Sequence, residues 1–187
     1  FAPQGCFAVG GFMALQGLWA VPWMMTVNGS TRSEAAGVLF VMALAMLTGF
    51  FFVATCSSWL SRLGVRPMYL LTFGMGLALP AELAIILNLA NPMWLWPILG
   101  FAFSLSNIAY PLLTAAFPVA LSGRVNTALN LMAFIGAFAL QWGMGAVIDA
   151  FVVTGLAPPQ AFEFTLGLML TLQTLAYLWF LVPLKAR

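Results

Sequence analysis

The chain has 187 residues, 64% of them hydrophobic and 5% charged, with six Lys and Arg, four Asp and Glu, no His and a net charge of +2. A water-soluble domain carries charge at about a quarter of its positions, so water is excluded as this chain's main solvent. Without an imidazole, His-dependent intramembrane proteolysis, haem ligation and zinc peptidase chemistry are excluded in their common forms, and no cluster of basic residues with interleaved aromatics exists to bind nucleic acid.

Six apolar stretches follow one another, over 5–27, 35–60, 67–89, 92–120, 125–153 and 162–184. Each reaches or exceeds the roughly 20 residues that cross about 30 Å of hydrocarbon at 1.5 Å per residue, so the expectation is an all-α polytopic membrane protein forming a single six-helix domain. In the first stretch Gln16 shares a face with Phe12, Trp19 and Trp23, beside the small residues Gly10, Gly11 and Gly17. Asn28-Gly29-Ser30-Thr31 then opens a loop in which Ser30 or Ser33 is expected to cap the second helix, with Glu34 in its first turn. The next break, 61–67, needs Gly64 for a positive φ and offers Pro67 to start the third helix. Cys6 and Cys56 have no second Cys or carboxylate at ligand spacing and read as small buried hydrophobes, so neither a metal site nor a cofactor is expected.

The third stretch holds Glu82 in mid-membrane with no Lys or Arg expected nearby. An ionised carboxylate there requires a partner, so Glu82 reads as a protonated, possible proton-carrying group or as one that reaches the outer interface. Asn91-Pro92 makes a tight turn into the fourth stretch, which Pro111 and Pro118 bend and where Ser104, Asn107, Pro111 and Thr114 share an arc of about 80°. On the fifth, Asn126, Asn130 and Gln141 lie within about 60° of one another. Asp149 reads as an interfacial carboxylate, and the 154–160 connection, with Gly155 and Pro158-Pro159, leads into the sixth stretch. Two readings fit the amides and hydroxyls: they line a cavity that holds a small molecule by uncharged contacts, with Gln16, Asn107, Asn130 and Gln141 as substrate-binding candidates, or they tie helices together.

Counting crossings puts Arg62, Arg66, Arg124, Lys185 and Arg187 on one face and only Arg32 on the other. Lys and Arg accumulate in short cytoplasmic loops, so both termini are expected in the cytoplasm. Trp23, Trp94 and Trp96 near the outer interface, with Trp59, Tyr69 and Trp179 near the inner one, form belts that agree with the charges.

The segment Ser57-Ser58-Trp59-Leu60-Ser61-Arg62-Leu63-Gly64-Val65-Arg66-Pro67 resembles the G-x-x-x-D-R-x-G-R-[RK] loop of the major facilitator superfamily, with Arg62, Gly64 and Arg66 matching. Ser57 replaces the Gly, Ser61 the Asp and Val65 the second Arg, so a latch built on that Asp is missing. Tyr110-Pro111 to Phe117-Pro118, Gly123 to Asn130, Phe134 to Phe138, Gln141 and Gly145 to Asp149 are similar to the tenth and eleventh helices of bacterial members. The resemblance implies the C-terminal half of a twelve-helix secondary transporter in a bacterial inner membrane. It implies two inverted three-helix repeats, a gating loop at Arg62, Gly64 and Arg66, and Gln16, Asn107, Asn130 and Gln141 turned to the central path, with Glu82 peripheral. Its expected partners are the bilayer, a small-molecule substrate, and an N-terminal six-helix half or a second copy of itself. The alternatives are a non-transporting membrane scaffold on the same fold and a channel, since Asn91-Pro92-Met93 resembles the aquaporin Asn-Pro-Ala motif but occurs once. No base stands beside any Ser to suggest an enzyme.

Overall fold

The computed structural model describes residues 1–182; Lys185, Arg187 and the end of the sixth stretch lie outside the described residues. The described chain is helical without strands, and six of its helices are long and apolar enough to cross a membrane. They are α1 (Gln4–Thr26), α2 (Arg32–Arg62), α3 (Pro67–Ile86), α4 (Pro92–Ala115), α5 (Ser122–Val153) and α6 (Pro158–Leu181).

Helix ends follow local chemistry. Thr31, rather than Ser30 or Ser33, caps α2, in a capping box where its hydroxyl accepts from the Glu34 N–H and the Glu34 carboxylate accepts from the Thr31 N–H at 2.7 Å. Gly64 takes φ 82° and Pro67 occupies the first turn of α3, as the sequence predicts. Asn91 caps α4 by accepting from the Met93 N–H at 2.8 Å. Helix α3 stops at Ile86 because Asn88 turns to φ 54°, three residues short of the predicted end.

Prolines account for the irregular spans. Pro111 has no N–H for the Asn107 carbonyl and its ring presses on it, so α4 opens into a turn at Asn107–Ile108, and that carbonyl accepts from Tyr110 N–H at 3.2 Å instead. Pro118 disfavours helix at Phe117, so α4 ends at Ala115 instead of 120, and a 3₁₀ turn, Val119–Leu121, leads into α5 at Ser122. In α1 a π-helical stretch, Leu15–Trp19, takes up the strain at Leu18, four residues before Pro22; a second covers Gln4–Val9.

Helix α1 packs on α5, α6 and α2; α4 packs on α2, α3 and, through its C-terminal end, α5; α3 and α6 touch, as do α5 and α6. Small residues set the closest crossings. A methyl group at Gly10 would stand 2.7 Å from the Ala133 carbonyl oxygen, and one at Gly136 would overlap the Cys6 carbonyl, so α1 and α5 meet backbone to backbone. One at Gly100 would lie 3.0 Å from the Met42 carbonyl oxygen, and one at Gly74 would lie 2.9 Å from that of Ala102, so α4 crosses α2 and α3 in the same manner.

The turns collect at two ends. Asn28 donates to Asn88 at 2.6 Å, joining the α1–α2 and α3–α4 connections. At the opposite end Phe1 packs edge-on against Phe180 at 5.7 Å and beside Leu113, Phe117 and Val125. Arg62, Arg66 and Arg124 are exposed at the Phe1 end, with Arg32 at the other. Trp59, Tyr69, Trp94 and Trp179 are exposed, but Trp23 and Trp96 are fully buried and belong to the core with Phe12, Leu15, Met24, Met42 and Leu99. The outer belt expected at Trp23 and Trp96 is thus an interior cluster, because both rings fall on the helix faces that cross. Cys6 and Cys56 are half-buried rather than enclosed.

Gly136→Ala forces two backbones apart and is expected to destabilise the bundle by about 1–3 kcal/mol. Gly143→Ala and Gly167→Ala, where nothing lies within 4 Å of an added methyl, should be neutral or stabilising. Thermal unfolding in detergent checks both; equal losses at all three positions would rule out the close crossing.

Candidate functional site

Polar side chains gather in two places. The first is a ladder between the C-terminal part of α4 and α5. Beyond the turn at Asn107–Ile108, Tyr110 donates its hydroxyl to the Asn130 carboxamide oxygen at 2.6 Å, and the single Thr114 hydroxyl proton is shared between the Asn126 carboxamide oxygen and the Tyr110 carbonyl, each at 2.8 Å. The 3.6-residue period puts Tyr110 and Thr114 one turn apart on α4 and Asn126 and Asn130 one turn apart on α5, so the two rungs are in register. Asn130 is exposed, Tyr110, Thr114 and Asn126 half-buried.

The second place is a cavity among α1, α3, α4 and α6, walled by Phe12 and Phe103, whose rings stack at 3.7 Å and 8°. Three buried polar side chains line it: Glu82, Gln173 and Ser106. Gly11 makes room for Gln173, since a methyl there would lie 2.7 Å from Gln173 Nε2. Glu82 Oε1 has no hydrogen-bond partner in the protein. Tyr177, also on the wall, donates to the Thr72 carbonyl at 3.3 Å.

The four substrate-binding candidates are not brought to one point. Gln141 and Gln16 belong to one neighbourhood: Gln141 Nε2 would be 3.5 Å from a methyl at Gly17, and the Gln141 carbonyl accepts from Trp19 Nε1 at 3.1 Å. Asn130 lies further along α5 in the ladder. Asn107 sits at the break in α4 and turns back to the Phe103 carbonyl at 3.3 Å. Glu82 departs from the peripheral position implied by the family resemblance: α3 turns it into the bundle interior, 2% exposed. Arg62 and Arg66 are exposed around Gly64, and Ser57 and Ser61, in the last turns of α2, border a groove with Pro67, Ile108, Pro111 and Ala115. The loop therefore adjoins the broken end of α4.

Reading the sequence helix by helix missed Gln173 and Tyr110. Gln173 was hidden because a single amide in an apolar helix gives no pattern of its own; its signal is the match in position with Glu82, each 15 residues beyond the proline that opens its helix, Pro67 or Pro158. Compared with known protein families, curated proteins and solved structures, the chain matches none of them.

Removing one rung, by Tyr110→Phe or Thr114→Val, should cost about 0.6 kcal/mol and at most about 1.7, the range measured for hydrogen bonds between membrane helices. The double variant should lose the sum, read as a fall in unfolding temperature in detergent. No change in either single variant would mean that the ladder contributes nothing to holding α4 on α5.

Proposed function

We propose that this chain is one six-helix half of a secondary active transporter of the major facilitator type, moving a small solute by alternating access against a second six-helix unit. The observation that carries the reading is a correspondence at 91 positions, which separates Phe12 from Phe103, Gln16 from Asn107, Gly64 from Gly155, Pro67 from Pro158, Gly76 from Gly167 and Glu82 from Gln173. The local geometry corresponds as well. Gly64 and Gly155 both take positive φ, 82° and 97°, three residues before a helix-opening proline. Gly64 N–H donates to Ser61 and Val65 N–H to Leu60, while Gly155 N–H donates to Val152 and Leu156 N–H to Phe151, all at 3.0–3.1 Å.

Helix pairing follows the same relation. Exchanging α1 with α4, α2 with α5 and α3 with α6 converts the α1–α5 contact into α4–α2, α1–α6 into α4–α3 and α1–α2 into α4–α5, and leaves α3–α6 as it is. The α5–α6 contact is the departure, since α2 and α3 do not meet to the same extent. Three crossings separate equivalent helices, so such a repeat is inverted in the membrane, the arrangement on which rocking-type transporters are built.

In this reading the apolar face of α5 around Phe134, Phe138 and Trp142, all exposed, adjoins the second unit or lipid, and Asn130 lies beside it. Gln16, Asn107, Asn130 and Gln141 contact the substrate, which is neutral, zwitterionic or amphipathic because these groups bind without charge. The Arg62–Arg66 loop moves with the inner end of α4. The protein resides in a bacterial inner membrane with both ends cytoplasmic, and its second unit is an N-terminal half or another copy.

Proteoliposome uptake by the assembled transporter, over a panel of neutral, zwitterionic and amphipathic solutes, tests the reading. Asn130→Leu should lower uptake by about tenfold, the effect of losing one ligand hydrogen bond of about 1.4 kcal/mol, with membrane level unchanged and the unfolding temperature falling no further than in Tyr110→Phe, which breaks the same rung and should keep its uptake. Unaltered kinetics would remove Asn130 from the site, and no response to any solute would favour a membrane scaffold.

A further inference from the structure

The cavity between the stacked Phe12 and Phe103 rings and the Glu82 carboxyl poses a charge problem that the transport reading does not use. Its walls come from α1, α3, α4 and α6, and Glu82, Gln173 and Ser106 are 2%, 6% and 4% exposed. Its volume is about 30 Å³, by the measure in which one water needs about 10–15 Å³, so it has room for one or two small species. Among the described residues no Lys or Arg lines it. The other titratable groups on the surrounding helices are Cys6 on α1, Tyr69 on α3, Tyr110 on α4, and Glu163 and Tyr177 on α6; of these only Tyr177 reaches the cavity, and its hydroxyl is engaged with Thr72.

Glu82 is buried and lines this cavity, and its Oε1 finds no partner in the protein, so nothing in the chain balances the charge of the carboxyl. We propose that the cavity is a binding site for one monovalent cation that neutralises Glu82: a sodium ion held by Glu82, the Gln173 carboxamide oxygen, Ser106 Oγ and water, or a proton on the carboxyl with water in the remaining space. The stoichiometry follows from charge. One carboxylate balances one positive charge, whereas calcium and magnesium sites demand more anionic oxygen ligands or a larger hydrated space. The oxygen-only donor set suits a hard cation and no soft metal. None of Gln16, Asn107, Asn130 and Gln141 lines it, so it is separate from the proposed substrate contacts and exists whether or not the chain transports.

The test is thermal unfolding of the whole chain in detergent, in sodium, potassium and choline chloride at equal ionic strength and over a range of pH, without any transport assay. Occupancy by sodium predicts a saturable rise of roughly 3–6 °C for each tenfold increase in sodium above half-saturation, absent in potassium and choline. Occupancy by a proton predicts no difference among the salts and a loss of stability as pH rises, because the native state then holds a proton that the unfolded state releases. Either response must vanish in Glu82→Gln, which supplies a neutral group of the same shape. Gln173→Leu keeps the carboxyl should Glu82→Gln fail to fold; it should raise the half-saturating sodium concentration at least tenfold, or leave the proton response in place. A wild-type chain indifferent to both sodium and pH, or responses that persist unchanged in Glu82→Gln, would overturn the proposal.

Discussion

The close approach of backbones at Gly10 and Gly136, and its counterpart at Gly100, is the constraint on which the remaining structure rests. Between helices in hydrocarbon there is no hydrophobic gain from association, so contact must come from packing that lipid tails cannot match. Absent side chains let α1 lie against α5 and α4 against α2 at a distance where carbonyls and Cα atoms touch. Once those crossings are fixed, Phe12 meets Phe103, and α3 and α6 are left to close the bundle on either side of the pair. The cavity lies where these four helices converge.

Polar groups are distributed according to the same constraint. Thr48, Thr55, Thr72, Thr165, Thr171 and Thr174 each return their hydroxyl to a carbonyl four residues back, which satisfies the donor without a second helix. The amides and the carboxyl cannot do this so simply. Asn126 and Asn130 find partners on α4, while Glu82 lines the interior cavity with its Oε1 unpartnered. The break in α4 serves the first arrangement, since the turn at Asn107–Ile108 sets the helical segment that carries Tyr110 and Thr114 against α5.

Much of the fold was legible in the sequence because bilayer crossing is a one-dimensional property: length, apolarity and turn chemistry are local. Gly64 and Pro67 behaved as their chemistry demands, and the helix ends missed by several residues were those where a proline or Asn88 acted at a distance of a turn. Facing is a different matter. Trp23 and Trp96 have the composition of interfacial belt residues, and only the angle at which their helices cross turns them inward. Glu82 likewise needed the packing of α3 against α4 and α6 to be placed. Of the four candidate contacts, the α5 stripe was visible as a period, but its relation to Tyr110 depends on the position of the broken end of α4, which no spacing within α5 encodes.

The proposed equivalence of the two triplets of helices requires that successive connections alternate across the membrane, so that equivalent helices run in opposite directions. Labelling in intact cells measures this most directly: in a variant lacking Cys6 and Cys56, single cysteines are introduced at Gly29, Gly64, Leu89, Gly123 and Gly155 and exposed to a membrane-impermeant thiol reagent. The account predicts labelling from outside at 29, 89 and 155 and protection at 64 and 123 until the membrane is opened. Labelling of 64 and 155 from the same side would contradict it, since the two loops could not then belong to inverted repeats.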